Sequence, residues 1–215
     1  MTIKLFILGL PGSGKSAVAR FLCAKIAGWH WTAARFNDYK ILDGMFHQDT
    51  AGRFKPAESR GFDVLDLKVF DEALQALEQE ANIYVDSLKP EEKKLVFIEF
   101  SRNDYEHAFQ QFNKSFLKDA YFLYLDTELA RCKERIRHRV ADPQFEEDHP
   151  VSEYIFKAYY YVDDGLSIVD IWAKEYGVDN WRVLTIDNNR SLDLVIKSIE
   201  PFIYSILNPL SIVNK

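Results

Sequence analysis

The 215-residue chain holds 47% hydrophobic and 28% charged residues and carries a net charge of -6. This length suits one domain with a large core rather than two full domains, and the balance lacks the signature of a disordered chain. The acidic charge argues against a broad electrostatic hold on nucleic acid, and no apolar run is long enough to cross a bilayer.

In chain order, short apolar runs alternate with longer amphipathic segments, the pattern of a parallel sheet wrapped by helices. Residues 3–8 predict the first strand, and this apolar start runs into glycines and a lysine without the cleavage-site pattern of a signal peptide. Val18, Leu22 and Ile26 then form a helical stripe ending at Gly28. Residues 34–37 predict a second, weak strand. Residues 48–62, rich in Gly, Arg, Lys and Pro, show no clear period and mark a candidate flap. Phe70, Leu74, Leu77 and Ala81 make the next helical stripe. Residues 95–100, 120–125 and 182–186 supply three more strands. Leu192, Val195, Ile199, Phe202 and Ile206 form a last helix that Pro201 should kink or split. Cys23 and Cys132 fall in helical segments with no CxxC pair or companion histidine, which fits reduced thiols and a cytoplasmic protein. The expected fold is α/β, with a five-stranded parallel sheet covered by helices on both faces, in a single domain over residues 1–215.

Between the first strand and the first helix stands GLPGSGKS, residues 9–16, which satisfies G-x-x-x-x-G-K-[ST] in the strand-then-helix setting that a phosphate-binding loop requires. Gly9, Gly12 and Gly14 let backbone N–H groups point inward at phosphate oxygens, and the following helix adds its positive end. Lys15 would neutralise the outer phosphates, and the Ser16 hydroxyl would ligate Mg²⁺. The candidate nucleotide contacts are therefore Gly9, Pro11, Gly12, Ser13, Gly14, Lys15, Ser16 and Ala17.

In LVFIE, four apolar residues precede Glu99 at the carboxyl end of a strand, where a parallel sheet opens on its ligand crevice. Glu99 is a candidate metal partner beside Ser16 and Lys15, or the buried half of an ion pair with Arg102. Arg102 alternatively meets an anionic group of a substrate, since a guanidinium fork matches phosphate and carboxylate geometry. Asn103 and Glu106 stand at capping-box spacing, which places Asp104 in the first turn of the next helix. Further on, Leu129, Cys132, Ile136 and Val140 share one helical face, while Arg131, Arg135 and Arg139 share another at four-residue spacing. Tyr154, Phe156, Tyr159 and Tyr160 serve either a pocket or the core. His149, after three acids, is assigned no role.

With this loop and the segments after it, the chain resembles the P-loop kinases of small molecules, the group around nucleoside monophosphate kinases, shikimate kinase and polynucleotide 5′-kinase. The resemblance implies a P-loop NTPase three-layer sandwich with a flap after the second strand and an arginine-bearing lid after the fourth, here residues 128–152. It implies that Asp38, in FNDYK, takes a proton from the acceptor hydroxyl or orients it; an N-cap for the next helix is the other reading of that residue. It implies that lid arginines, Arg135 and Arg139 foremost, close over the transferring group, a solvated basic face being the alternative. Asp187 and Asn188 would pass along the nucleotide base.

The implied activity is transfer of the γ-phosphoryl group of ATP, with Mg²⁺, to a small-molecule acceptor, without nucleic-acid or membrane partners. A polynucleotide 5′-kinase is one alternative, although the acidic charge speaks against it. FNDYK also departs from the Asp-x-x-Arg arrangement of that group, with Lys40 two residues on and no arginine at the matching place. A P-loop ATPase or nucleotide-sensing regulator without an acceptor is the other.

Overall fold

A computed structural model describes residues 1–57, 61–145, 148–160 and 175–208. Strand β1 (Thr2–Leu8) lies at the centre of a five-stranded sheet, between β5 (Lys94–Glu99) and β6 (Tyr121–Asp126). Strand β2 (Thr32–Asn37) lies outside β5 and β7 (Val183–Asp187) outside β6. Every neighbouring pair is parallel. The chain therefore returns over the sheet between strands, and helices cover both faces.

Alternate residues of the central strands feed two cores. Leu5, Ile7, Leu95 and Phe97 pack with Val18, Leu22 and Ile26 of helix α1 (Lys15–Ala27) and with Val195, Ile199, Ile203 and Ile206 of the C-terminal helix α8 (Leu192–Leu207). Phe6, Leu8, Val96 and Ile98 face the other way. They pack with Leu74, Leu77 and Ala81 of α3 (Lys68–Asp86) and with the aromatic residues of α4 (Tyr105–Phe109) and α5 (Lys114–Lys118). The α8 helix continues through Pro201 and is not split there. Pro201 is itself exposed, and buried apolar residues stand on both sides of it. One continuous apolar face outweighs one lost backbone hydrogen bond.

A third apolar cluster gathers beyond the carboxyl ends of the strands. It joins Leu10 to Leu42 of α2 (Asp38–Gln48), to Phe54 and Val64 of a small antiparallel hairpin, β3 (Phe54–Pro56) with β4 (Phe62–Val64), and to Phe70 of α3. Cys132 and Ile136 of α6 (Leu129–Ala141), with Ile155 and Phe156 of α7 (Glu153–Ala158), complete it. The hairpin falls within and just beyond the stretch expected to be a flap; residues 58–60 lie outside the described residues, as do 146 and 147 of the expected lid. Among the described residues, no helix is long and apolar enough to cross a membrane.

Candidate active site

The loop after β1 is shaped by three glycines that take positive φ: Gly9 at 133, Gly12 at 83 and Gly14 at 97 degrees. At Gly12 a side chain is barred twice over, since a Cβ there would lie 2.5 Å from the Cys132 carbonyl oxygen of α6. Neighbouring elements brace the loop. The Tyr105 hydroxyl accepts from Gly9 N at 2.8 Å. The Ser13 carbonyl accepts from Asn188 Nδ2, from Arg135 Nη1 at 3.3 Å and from Thr127 Oγ1 at 3.4 Å. Asn188 is thus buried beside the loop, whereas Asp187 is exposed and pairs with Arg190 at 3.0 Å.

Lys15 Nζ donates to the carbonyls of Gly9 and Leu10, both at 2.9 Å, and to Ser101 Oγ at 2.6 Å. Burial lowers the Lys15 pKa to about 8, against the opposing pull of Asp38, Cys132 and Glu99. A bound polyphosphate favours the charged amine and raises that pKa, so binding takes up a proton between the two values. Nucleotide affinity should therefore be level below pH 8 and fall above it, by up to about tenfold per pH unit. Fluorescent-nucleotide titrations between pH 7 and 9.5 test this; a profile flat throughout would show that Lys15 keeps an ordinary lysine pKa.

The acids at the ends of β2 and β5 find partners that differ from those expected. Glu99 does not pair with Arg102. Both its carboxylate oxygens accept from Arg35 of β2, from Nε at 2.8 Å and Nη2 at 3.2 Å. Arg102 instead donates to Asp38 Oδ2 at 2.5 Å, to its neighbour's carbonyl at Ser101 (2.6 Å) and to the Phe70 carbonyl (2.7 Å). The rings of Phe70 and Phe100 lie 4.9 and 5.7 Å from the guanidinium carbon. Burial pulls the Arg102 pKa down, but Asp38, Tyr159 and Tyr160 together more than reverse this and the net direction is upward. Arg102 is 2% exposed, so in place of a contact with an anionic substrate it reaches the site through Asp38.

Asp38 is likewise not the cap of α2. Asn37 fills that position, its Oδ1 accepting from Tyr39 N at 2.8 Å, and Asp38 is the first helical residue with its carboxylate held by Arg102. Similarly, Asp104 rather than Asn103 caps α4, accepting from His107 N at 2.8 Å.

The arginines of α6 divide. Arg131 bonds the Asn189 carbonyl at the surface. Arg135 and Arg139 turn into the cleft, Arg135 also donating to the Asn188 carbonyl at 2.8 Å and Arg139 to the His149 carbonyl at 3.0 Å. His149 joins the site unannounced by the sequence: its ring stacks on Tyr39 with centroids 3.5 Å apart, so the loop after α6 reaches across to α2. Of the aromatic residues after it, Tyr160 lines the cleft and donates to the Ser101 carbonyl at 3.2 Å, while Tyr154 is exposed.

These parts enclose a cleft of about 320 Å³. Ser16, Asp38 and Glu99 all line it, and Asn37, the residue before Asp38, pairs in register with Glu99. The Ser16 hydroxyl is a hard-oxygen donor of the kind Mg²⁺ takes, whereas both Glu99 carboxylate oxygens are engaged by Arg35 and Asp38 Oδ2 by Arg102. No cluster of three acids, histidines or cysteines able to hold a metal by itself occurs among the described residues. Sequence reading missed Ser101, Tyr105 and Arg35. Ser101 had a signal, being two residues past the acid that ends the strand next to the P-loop strand, whereas Tyr105 and Arg35 had none.

The sheet order and the glycine loop after the central strand make an α/β fold similar to that of solved P-loop kinases. Among solved structures, the chain is similar to a gluconokinase from Sinorhizobium meliloti 1021, at 12% identity, with 99% of this chain and 98% of that one covered and a TM-score of 0.56. It is similar also to the APS kinase CysC of Mycobacterium tuberculosis, solved with AMPPNP and APS (17% identity, 95% and 98% covered, TM-score 0.54). The third is Chaetomium thermophilum Kti12 in complex with ADP-AlF3 (14%, 93% and 98%, TM-score 0.54). No family model and no curated protein matches the sequence.

Proposed function

We propose that the protein is an ATP- and Mg²⁺-dependent phosphotransferase that acts on a small-molecule acceptor. The observation that carries this reading is the position of Asp38: a carboxylate fixed by Arg102 on the wall of the same cleft that holds Lys15 and Ser16. In this reading the P-loop amides and Lys15 bind the phosphates, Ser16 with Glu99 holds the metal, and Arg135 and Arg139 offset charge on the transferring group. Asp38 accepts or orients the acceptor proton. Magnesium supplies charge neutralisation between the phosphates when bound. The two free cysteines accord with a cytoplasmic setting.

The test is ADP release by purified protein across a panel of nucleosides, nucleotides, sugars and small acids. Release that depends on one acceptor supports the reading, and Lys15→Ala should abolish it, by about 10² or more in kcat/KM. Hydrolysis indifferent to every acceptor would instead favour an ATPase or regulator.

A further inference from the structure

The Lys15 ammonium has three N–H bonds to give. All three are placed on protein oxygens: the Gly9 and Leu10 carbonyls, each at 2.9 Å, and Ser101 Oγ at 2.6 Å. A phosphate oxygen that bonds the ammonium must therefore take over one of these positions. The two carbonyls belong to the loop itself. Turning the Gly9 carbonyl away means turning a backbone at φ 133 degrees whose N–H is tied to Tyr105, and the Leu10 carbonyl also accepts from Ser13 N at 3.0 Å. Of the three acceptor residues, Ser101 alone lines the cleft among the described residues. Its backbone is held by others, the carbonyl accepting from Arg102 Nη1 at 2.6 Å and from the Tyr160 hydroxyl at 3.2 Å. What is left to turn is the hydroxyl, about one side-chain torsion.

We propose that Ser101 is a positioning residue for Lys15, holding the ammonium at the mouth of the P-loop until an outer phosphate of the nucleotide displaces its hydroxyl. The inference rests on the nucleotide-phosphate part of the reading above and is indifferent to the acceptor. An ammonium with a donor left unused in a partly buried site is costly. The Ser101 bond therefore stabilises the protein before nucleotide binds and opposes binding to the same extent. Phosphate offsets this by presenting a full negative charge where the hydroxyl presented a dipole. Removing the hydroxyl should then strengthen nucleotide binding, the reverse of what truncating a direct phosphate contact does.

Two measurements test this. In wild-type crystals grown with a non-hydrolysable ATP analogue and Mg²⁺, Lys15 Nζ should lie more than about 3.5 Å from Ser101 Oγ, beyond hydrogen-bond reach, and in crystals grown without the analogue the bond should be present. In solution, Ser101→Ala should bind the analogue about three- to tenfold more tightly than wild type at pH 6, where the amine is charged in both. With one acceptor fewer the charged amine is less favoured, so the pH above which affinity falls should move below that of wild type. Asp38, Cys132, Glu99 and Arg139, the groups whose charge acts on Lys15, are left in place by the substitution. A residue that only braced the end of β5 would move neither quantity. Equal or weaker affinity of Ser101→Ala, or a Lys15–Ser101 bond that persists with the analogue bound, overturns the proposal; the crystals decide it even if Ser101→Ala fails to fold. A bond that opens on analogue binding, in a protein that phosphorylates no acceptor, upholds the proposal and instead overturns the phosphotransferase reading. Failure of the wild type to bind nucleotide overturns both.

Discussion

Asp38→Asn is expected to lower acceptor phosphorylation by about 10²–10⁴ in kcat while leaving the chain folded and able to bind nucleotide. The amide oxygen still accepts from Arg102, so the buried guanidinium keeps a partner. What is lost is the negative charge, and with it the capacity to take or orient a proton. A second effect follows from the position of Asp38 as the strongest of the groups that hold the Lys15 pKa up. Without that charge the Lys15 pKa falls further, and the pH above which nucleotide affinity weakens moves downward. Rapid-quench transfer assays and pH-dependent nucleotide titrations read the two effects independently. Full retained kcat with the true acceptor would remove Asp38 from the chemistry. A loss of nucleotide affinity as large as the loss of kcat would assign it to the metal and phosphates instead.

The parts of this site that were legible in the sequence are those made by local chain chemistry. The P-loop declares itself because its glycines, lysine and serine act within eight consecutive residues. The central strands declare themselves because both faces are buried, so 3–8 and 95–100 read as apolar runs interrupted only by Lys4 and Glu99. Strand β2 is an edge strand whose residues are half-buried or exposed, and its sequence TAARFN carries correspondingly little signal. The hairpin strands are three residues each, too short for any period.

Ion pairing was the part least open to sequence reading. Glu99 and Arg102 stand three residues apart and invite pairing, yet the chain leaves the strand between them. Glu99 stays on the α1 side of the sheet, where Arg35 reaches it from β2. Arg102 turns the other way, toward Phe70 and Asp38. Both actual pairs span 64 positions and depend on the register of β2 with β5. No spacing rule along one chain segment carries that information.

Removal of the Arg102 side chain should give the largest stability effect at the site. Arg102→Leu deletes a guanidinium with three donated hydrogen bonds and contacts to two rings, and strands the Asp38 carboxylate with the Phe70 carbonyl. Breaking a buried pair from one side costs about 3–5 kcal/mol. In a domain of this size that corresponds to a fall of about 6–20 °C in Tm. Arg102→Lys should recover part of the stability, since it restores a charge beside Asp38. It should not restore turnover, because a single ammonium cannot bond Asp38 and both carbonyls in the planar arrangement that fixes the carboxylate. The discriminating measurement is kcat per folded molecule at a temperature where all variants are native. If Arg102 acts only as a latch, kcat in the lysine variant equals that of the wild type; if it positions Asp38, kcat stays low while affinity for the ATP analogue is kept. In a double-mutant cycle, Arg102→Lys combined with Asp38→Asn should then cost little more in kcat than Asp38→Asn alone, because two residues that act through one carboxylate are not additive.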